Sequence, residues 1–162
     1  MSRAFVKEAD GTDVFDDLPD RPISPHPNLV TARGLALIEA EIARLRTALT
    51  EAQEREDRSA IAEISRDLRY WTARRTSAEV VPPVTDTETV RFGLRVTIER
   101  NDGRRQTFRI VGQDETDPAN GLLSYVAPLA LALTGKSVGE TVTVAQGEAE
   151  IVKIEAVPDD PT

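Results

Sequence analysis

The sequence predicts an α+β chain in which an antiparallel coiled-coil hairpin is followed by an antiparallel β domain with one short helix. Three observations carry this. Apolar residues at alternating steps of three and four run Leu35, Ile38, Ile42, Leu45, Leu49, Ala52, lose phase, and resume at Ile61, Ile64, Leu68 and Trp71. Pro82 and Pro83 then end the helical period. Beyond them the apolar residues recur at every second position on either side of Asn101-Asp102-Gly103.

The first element follows from the phase break. Continued without a turn, the first seam would land on Glu56, Ser59, Glu63 and Arg66, all polar. The chain must therefore reverse between Gln53 and Ser59, and two arms with complementary stripes joined by a tight connection form an antiparallel pair. Thr31 suits the N-cap of the first arm, and Asp57 or Ser59 that of the second. The stretch before the hairpin, residues 1–29, is acidic and interrupted by Pro19, Pro22, Pro25 and Pro27, which predicts extended or disordered chain. His26, the sole histidine, stands between two of those prolines with no partner at ligand spacing, and reads as a plain exposed residue.

After a linker at 82–87, Val90 to Ile98 alternates as a strand, Thr107 to Val111 returns, and Asp114 to Gly121 reads as loop. Leu122 to Val126 is a further strand, and Pro128 opens a short helix to Leu133 that Gly135 closes. Thr141 to Val144 and Glu150 to Ile154 complete the sheet. This second domain, residues 88–157, is a half-barrel with the helix in its concave face, followed by a tail at 158–162.

Composition narrows the function. No run of ~18 apolar residues spans a membrane and no apolar leader opens the chain. The absence of cysteine excludes disulfides and thiolate metal sites and fits a reducing, cytoplasmic compartment. A net charge of -8 argues against direct non-specific binding to nucleic acid. The charge is uneven: residues 31–79 hold nine acids and nine bases, yet Glu51, Glu54, Glu56 and Asp57 gather at the turn. Arg66, Arg69, Arg74 and Arg75 gather along the second arm and read as a solvated face ion-paired to the first.

Phe92-Gly93, the run Phe108-Arg109-Ile110-Val111-Gly112 with Asp114-Glu115-Thr116-Asp117, and Pro128-Leu129-Ala130 through Gly135-Lys136-Ser137-Val138-Gly139 resemble the C-terminal domain of the Gre transcript-cleavage-factor family. Val30-Thr31, Arg33-Gly34-Leu35, Arg69-Tyr70 and Arg74 add matches in the hairpin, and the resemblance covers residues 29 to 157. It implies a coiled-coil hairpin ahead of an FKBP-like domain, and a monomer that is not itself an enzyme. The implied partner is the core of bacterial RNA polymerase: the C-terminal domain docks at the rim of the secondary channel, with Pro128, Leu129 and Leu133 as the docking element. The hairpin enters the channel, and nucleic acid is met only through the polymerase. No cofactor is expected; Mg²⁺ enters only as the ion of the polymerase active centre, should the tip reach it.

At the tip the chain departs from that pattern. The family motif reads Asp, any residue, Ser, Glu, Asn, whereas Asp57-Arg58-Ser59 is followed by Ala60-Ile61. Glu54 and Glu56 remain as further metal-proximal candidates beside Asp57. The arms are also shorter than the pattern by roughly seven to ten residues each, roughly 10–15 Å at 1.5 Å per residue. These departures favour a channel-binding regulator that does not stimulate cleavage over a cleavage factor working through acidic tip residues and Mg²⁺. A third reading, an FKBP-like peptide-binding module, requires aromatic pocket walls, for which only Phe92, Phe108 and Tyr125 are present.

Overall fold

The computed structural model describes residues 18–158. Expectations for residues 1–17 and 159–162 lie outside the described residues. The hairpin is formed by α1 (Ala32–Glu54) and α2 (Arg58–Ser77), flanked by β1 (Leu29–Val30) and β2 (Glu79–Val80), which pair in parallel with Leu29 opposite Glu79. The second domain contains β3 (Arg95–Arg100), β4 (Arg105–Val111), β5 (Leu122–Ser124), α3 (Pro128–Leu133), β6 (Thr141–Val144) and β7 (Gly147–Glu155). Its five strands lie in the order β5-β4-β3-β7-β6. By packing, the chain forms two compact units, residues up to 23 with 40–73, and residues 24–39 with 74 onward. The first two turns of α1 and the last turn of α2 thus belong with the sheet.

Within the first unit the predicted seam of the first arm is buried at Ile42, Leu45 and Ala52, while Arg44, Arg46 and Thr47 face solvent. On the second arm the predicted Ile61, Ile64, Leu68 and Trp71 are half-buried, and the buried residue is Ala62, next to Ile61 and outside the predicted seam. Residues 18–23 belong to no helix or strand, and they lie along α2. Arg69 Nε donates to Asp20 Oδ1 (2.6 Å) and its Nη2 to the Leu18 carbonyl (3.0 Å). Arg21 pairs with Asp67 (3.5 Å), and its guanidinium sits 4.0 Å from the centre of the Tyr70 ring, a cation–π contact. Arg69 therefore pairs with the N-terminal stretch rather than with the first arm.

In the second unit the core is Val90, Leu94, Val96, Ile98, Ile110, Ala130, Leu133, Val142, Ala149, Ile151 and Ile154. Val96 and Ile98 face inward from β3 and Arg95, Thr97 and Glu99 outward, the two-residue period of a half-buried strand. Two local readings are corrected. The first strand begins at Arg95 rather than Val90, because the chain turns at Phe92-Gly93 with Gly93 at φ 88°. Val90 and Leu94 are buried all the same, so burial alone mimicked a strand. β5 runs parallel to β4, with Arg109 opposite Leu122, so the sheet is mixed. The connection Gly112–Gly121, which includes 3-10 turns at Gln113–Glu115 and Pro118–Asn120, carries the chain back to make that parallel pairing. β7 bulges between the partners of Thr97 and Ile98, moving its buried positions from Ala149 and Ile151 to Ile154.

Gly112 marks where β1 reaches this unit. Its φ of -70° suits any residue, but a Cβ there would stand 2.4 Å from the Leu29 carbonyl oxygen. Only hydrogen fits between the two backbones.

Candidate functional site

The hairpin turn comprises Arg55 to Asp57. The Asp57 amide donates to the Ala52 carbonyl (3.0 Å) and the Glu56 amide to that of Gln53 (3.1 Å), the paired bonds of a Schellman ending. Glu56 occupies its left-handed position at φ 55°, where glycine is the residue of lowest cost. Asp57 then starts α2: its Oδ1 accepts from the Ala60 amide (3.1 Å), an N-cap bond. Between the expected alternatives for that cap, the side-chain bond belongs to Asp57 and Ser59 stays exposed.

This local chemistry defines what the tip acids offer. Glu54, Glu56 and Asp57 are all exposed. One Asp57 oxygen is engaged by a backbone amide, and Glu54 closes α1 while Glu56 lies in the turn. Among the described residues no group of three His, Asp or Glu side chains is placed to hold a metal ion. Replacing Glu56 by Gly should remove the left-handed strain and raise hairpin stability by about 1 kcal/mol, read from a urea melt followed by helicity. A loss of stability would show that the Glu56 side chain supports the turn.

The docking candidates separate by exposure. Pro128 is exposed at the first turn of α3, Leu129 is half-buried against the core, and Leu133 is fully buried. Leu133 fills the core beside Ala130, so its side chain presents nothing to a partner. Leu131, 61% exposed and three residues after Pro128, is the apolar side chain that α3 shows to solvent, joined by Val138 at 56%. Helical spacing from Pro128 was the available signal for Leu131.

A polar cluster that sequence reasoning missed sits at the base of the helices. Arg74, read as part of a solvated face, is 2% exposed and is the largest fully buried side chain. Its Nε donates to Asp114 Oδ2 (2.5 Å) and its Nη2 to Asn28 Oδ1 (2.7 Å), while Asn28 Nδ2 returns a bond to the Arg74 carbonyl (2.7 Å). Beside it Glu115, 5% exposed, accepts from Thr31 Oγ1 (2.7 Å) and Arg33 Nη1 (3.1 Å). Thr31 Oγ1 also accepts from the Gly34 amide (3.0 Å), the predicted cap of α1. Arg74 stands three residues after Trp71, on the apolar side of α2, which was the one hint of burial. Arg75 does meet the first arm as expected, through Glu39 (2.8 Å).

Comparison with known proteins bears on these features. The family model described as "Transcription elongation factor, GreA/GreB, C-term" matches residues 85–158. The transcription elongation factor GreB of Pseudomonas aeruginosa is 34% identical over 153 residues, covering 80% of this chain and 91% of its own length. The chain belongs to the GreA/GreB family. That alignment is 153 residues long yet takes in only 80% of a 162-residue chain, so this Gre protein lacks residues that the relative has within the aligned span. The GreB of Neisseria meningitidis is 39% identical over 101 residues, 59% of this chain, and the chain spans 62% of that relative's length. The solved structure of the GreA factor homolog 1 protein of Thermus thermophilus is matched at 20% identity and a TM-score of 0.38 over 80% of this chain and 99% of that one.

Proposed function

We propose that this Gre protein is a transcription elongation regulator that binds the core of bacterial RNA polymerase at the secondary channel without stimulating RNA cleavage. Its sheet domain docks through the exposed end of α3 and its hairpin enters the channel. The observation that supports the reading is the tip: an acidic turn on a helical hairpin within a family of elongation factors, in which Asp57-Arg58-Ser59 is followed by Ala60-Ile61. The docking end of α3 offers Pro128 and Leu131 to a partner. No helix among the described residues is long and apolar enough to cross a membrane. The peptide-binding reading lacks a pocket wall, because Phe92, Phe108 and Tyr125 pack against the core, with Phe92 edge-on to Tyr125 at 5.7 Å.

Two measurements test this. The full chain is expected to be retained by immobilised core polymerase, yet to leave the cleavage rate of a stalled, backtracked complex in Mg²⁺ no faster than in its absence. A large acceleration abolished by Asp57→Ala or Glu56→Ala would show that the tip reaches the metal, and would replace this reading by that of a cleavage factor. Separately, Leu131→Asp is expected to weaken polymerase binding by more than about 1 kcal/mol with an unchanged melting temperature. Binding that survives the substitution would move the docking surface elsewhere.

A further inference from the structure

The five-stranded sheet has two outer strands, and only one of them is closed. At β5 the outward backbone groups are used. The Leu122 amide donates to the Asp117 carbonyl and the Asp117 amide to the Leu122 carbonyl (both 3.0 Å), and the Ser124 carbonyl accepts from the Ala127 amide (3.0 Å). β6 ends the sheet on the other side, and no further strand pairs with it among the described residues. Proteins guard such an edge with lysine, proline or a bulge. Thr141-Val142-Thr143-Val144 has no charge, no proline and an unbroken register with β7.

The register fixes what this edge offers. The Ile151 amide donates to the Glu140 carbonyl (3.0 Å), and directly bonded pairs alternate along an antiparallel ladder, so the next are Val142 with Ala149 and Val144 with Gly147. The amides and carbonyls of Thr141 and Thr143 therefore point away from β7, to the open edge. Side-chain direction alternates as well. Val142, 7% exposed, and the half-buried Val144 face the side of the sheet that α3 packs against. Thr141 and Thr143, both exposed, face the opposite side, where their partners on β7 are the exposed Glu150 and Glu148. Neither of these carboxylates makes an ion pair among the described residues, whereas Glu99 is bonded to Arg105 (2.9 Å) and Glu155 to Lys153 (2.9 Å).

We propose that β6 accepts an extended segment of a partner protein as a further strand, and that this segment alternates basic and apolar residues. Residues placed opposite Thr141 and Thr143 share their outward side, and a lysine or arginine there stands about 10 Å from β7, two strand spacings, across small threonine side chains. That is within the combined reach of a long cationic side chain and of Glu148 or Glu150. The intervening residues turn toward Val142 and Val144, where apolar side chains are favoured. Backbone bonds supply the pairing, and the alternate side chains supply the selection. A second copy of this chain is the less suitable occupant, since it would bring its own Glu148 and Glu150 to the same face of the joined sheet, and its own net charge of -8.

The test titrates the full chain with a blocked peptide alternating lysine and valine, and with one alternating glutamate and valine, and follows amide chemical shifts and hydrogen exchange. The lysine peptide is expected to bind saturably, at least about tenfold more tightly than the glutamate peptide, with its advantage reduced by salt. Amide exchange should slow at Thr141 and Thr143. Thr143→Pro removes an edge amide and no bond to β7, and is expected to weaken the lysine peptide at least about tenfold with the fold retained. Changing Glu148 and Glu150 together to Gln, both being exposed, is expected to bring the two peptides within about threefold of each other, and decides the matter should Thr143→Pro not fold. The proposal is overturned by absence of saturable binding of the lysine peptide at low millimolar concentration, by slowed exchange that maps elsewhere, by unchanged affinity in a folded Thr143→Pro protein, or by equal affinity of the parent for the two peptides. Slowed exchange at Thr141 and Thr143 that grows with protein concentration in the absence of peptide would make the occupant a second copy and overturn it equally.

Discussion

Arg74→Ala is expected to destabilise the second unit by about 3–5 kcal/mol, the cost of removing one partner from a buried ion pair. The guanidinium is 2% exposed, and the Asp114 side chain that accepts from it is 9% exposed. Truncation takes from that carboxylate its bond to Arg74 and from Asn28 Oδ1 the Nη2 donor, in a place that water reaches poorly. The expectation follows from the bonds that the buried partners lose more than from the worth of the pair, which desolvation offsets. Changing Arg74 and Asp114 together to apolar residues should therefore cost less than Arg74→Ala alone. Arg74→Lys should recover only part, because an ammonium cannot reach Asp114 and Asn28 with the same planar fork. Urea melts of the three variants decide the matter. A loss below about 1 kcal/mol for Arg74→Ala would show that the cluster is dispensable.

Leu45→Ala is expected to cost about 2–5 kcal/mol, all of it in the hairpin. Leu45 is 3% exposed on the seam between Ile42 and Ala52, themselves 7% and 0% exposed, so truncation leaves a cavity where the arms meet. Leu37, 44% exposed, provides the comparison: the same substitution there should fall within about 0.5 kcal/mol of the parent. Far-ultraviolet circular dichroism should report early loss of helicity, while amide protection in β3 and β7 persists. Equal effects of the two substitutions would mean that the seam is not the surface holding the hairpin closed.

The hairpin was legible because its signals are local. A phase break in an apolar heptad requires a reversal wherever the rest of the chain goes, and Asp57 and Thr31 announced the helix starts by residue type alone. The Asn101-Asp102-Gly103 turn, Pro128 at the first turn of α3 and Gly135 at its end, with φ 83°, were legible for the same reason. That acids crowd the hairpin end was legible, but the placing of Glu54 at the end of α1, Glu56 in a left-handed position and Asp57 as the cap depends on backbone angles that composition does not specify. Leu129 and Leu133 looked alike as docking candidates. Only packing separated Leu133, pointed into the core, from Leu131 in solvent.

The sequence by itself determined the two helices, the turns between them and at Asn101-Asp102-Gly103, and that the chain is a helical hairpin followed by a sheet, because periodicity and caps act over a few residues; it left the short strands Leu29–Val30 and Glu79–Val80 unread and began β3 too early. Tertiary structure alone decided which charges are buried and which oppose each other. Arg74 meets Asp114 across 40 residues and Thr31 meets Glu115 across 84, separations at which no spacing rule operates. The parallel return of β5, the bulge in β7 and the opposition of Arg95 to Arg109 belong to the same class. Each depends on strand register, which is set by how the whole apolar face is buried and leaves no local trace in the residues it brings together.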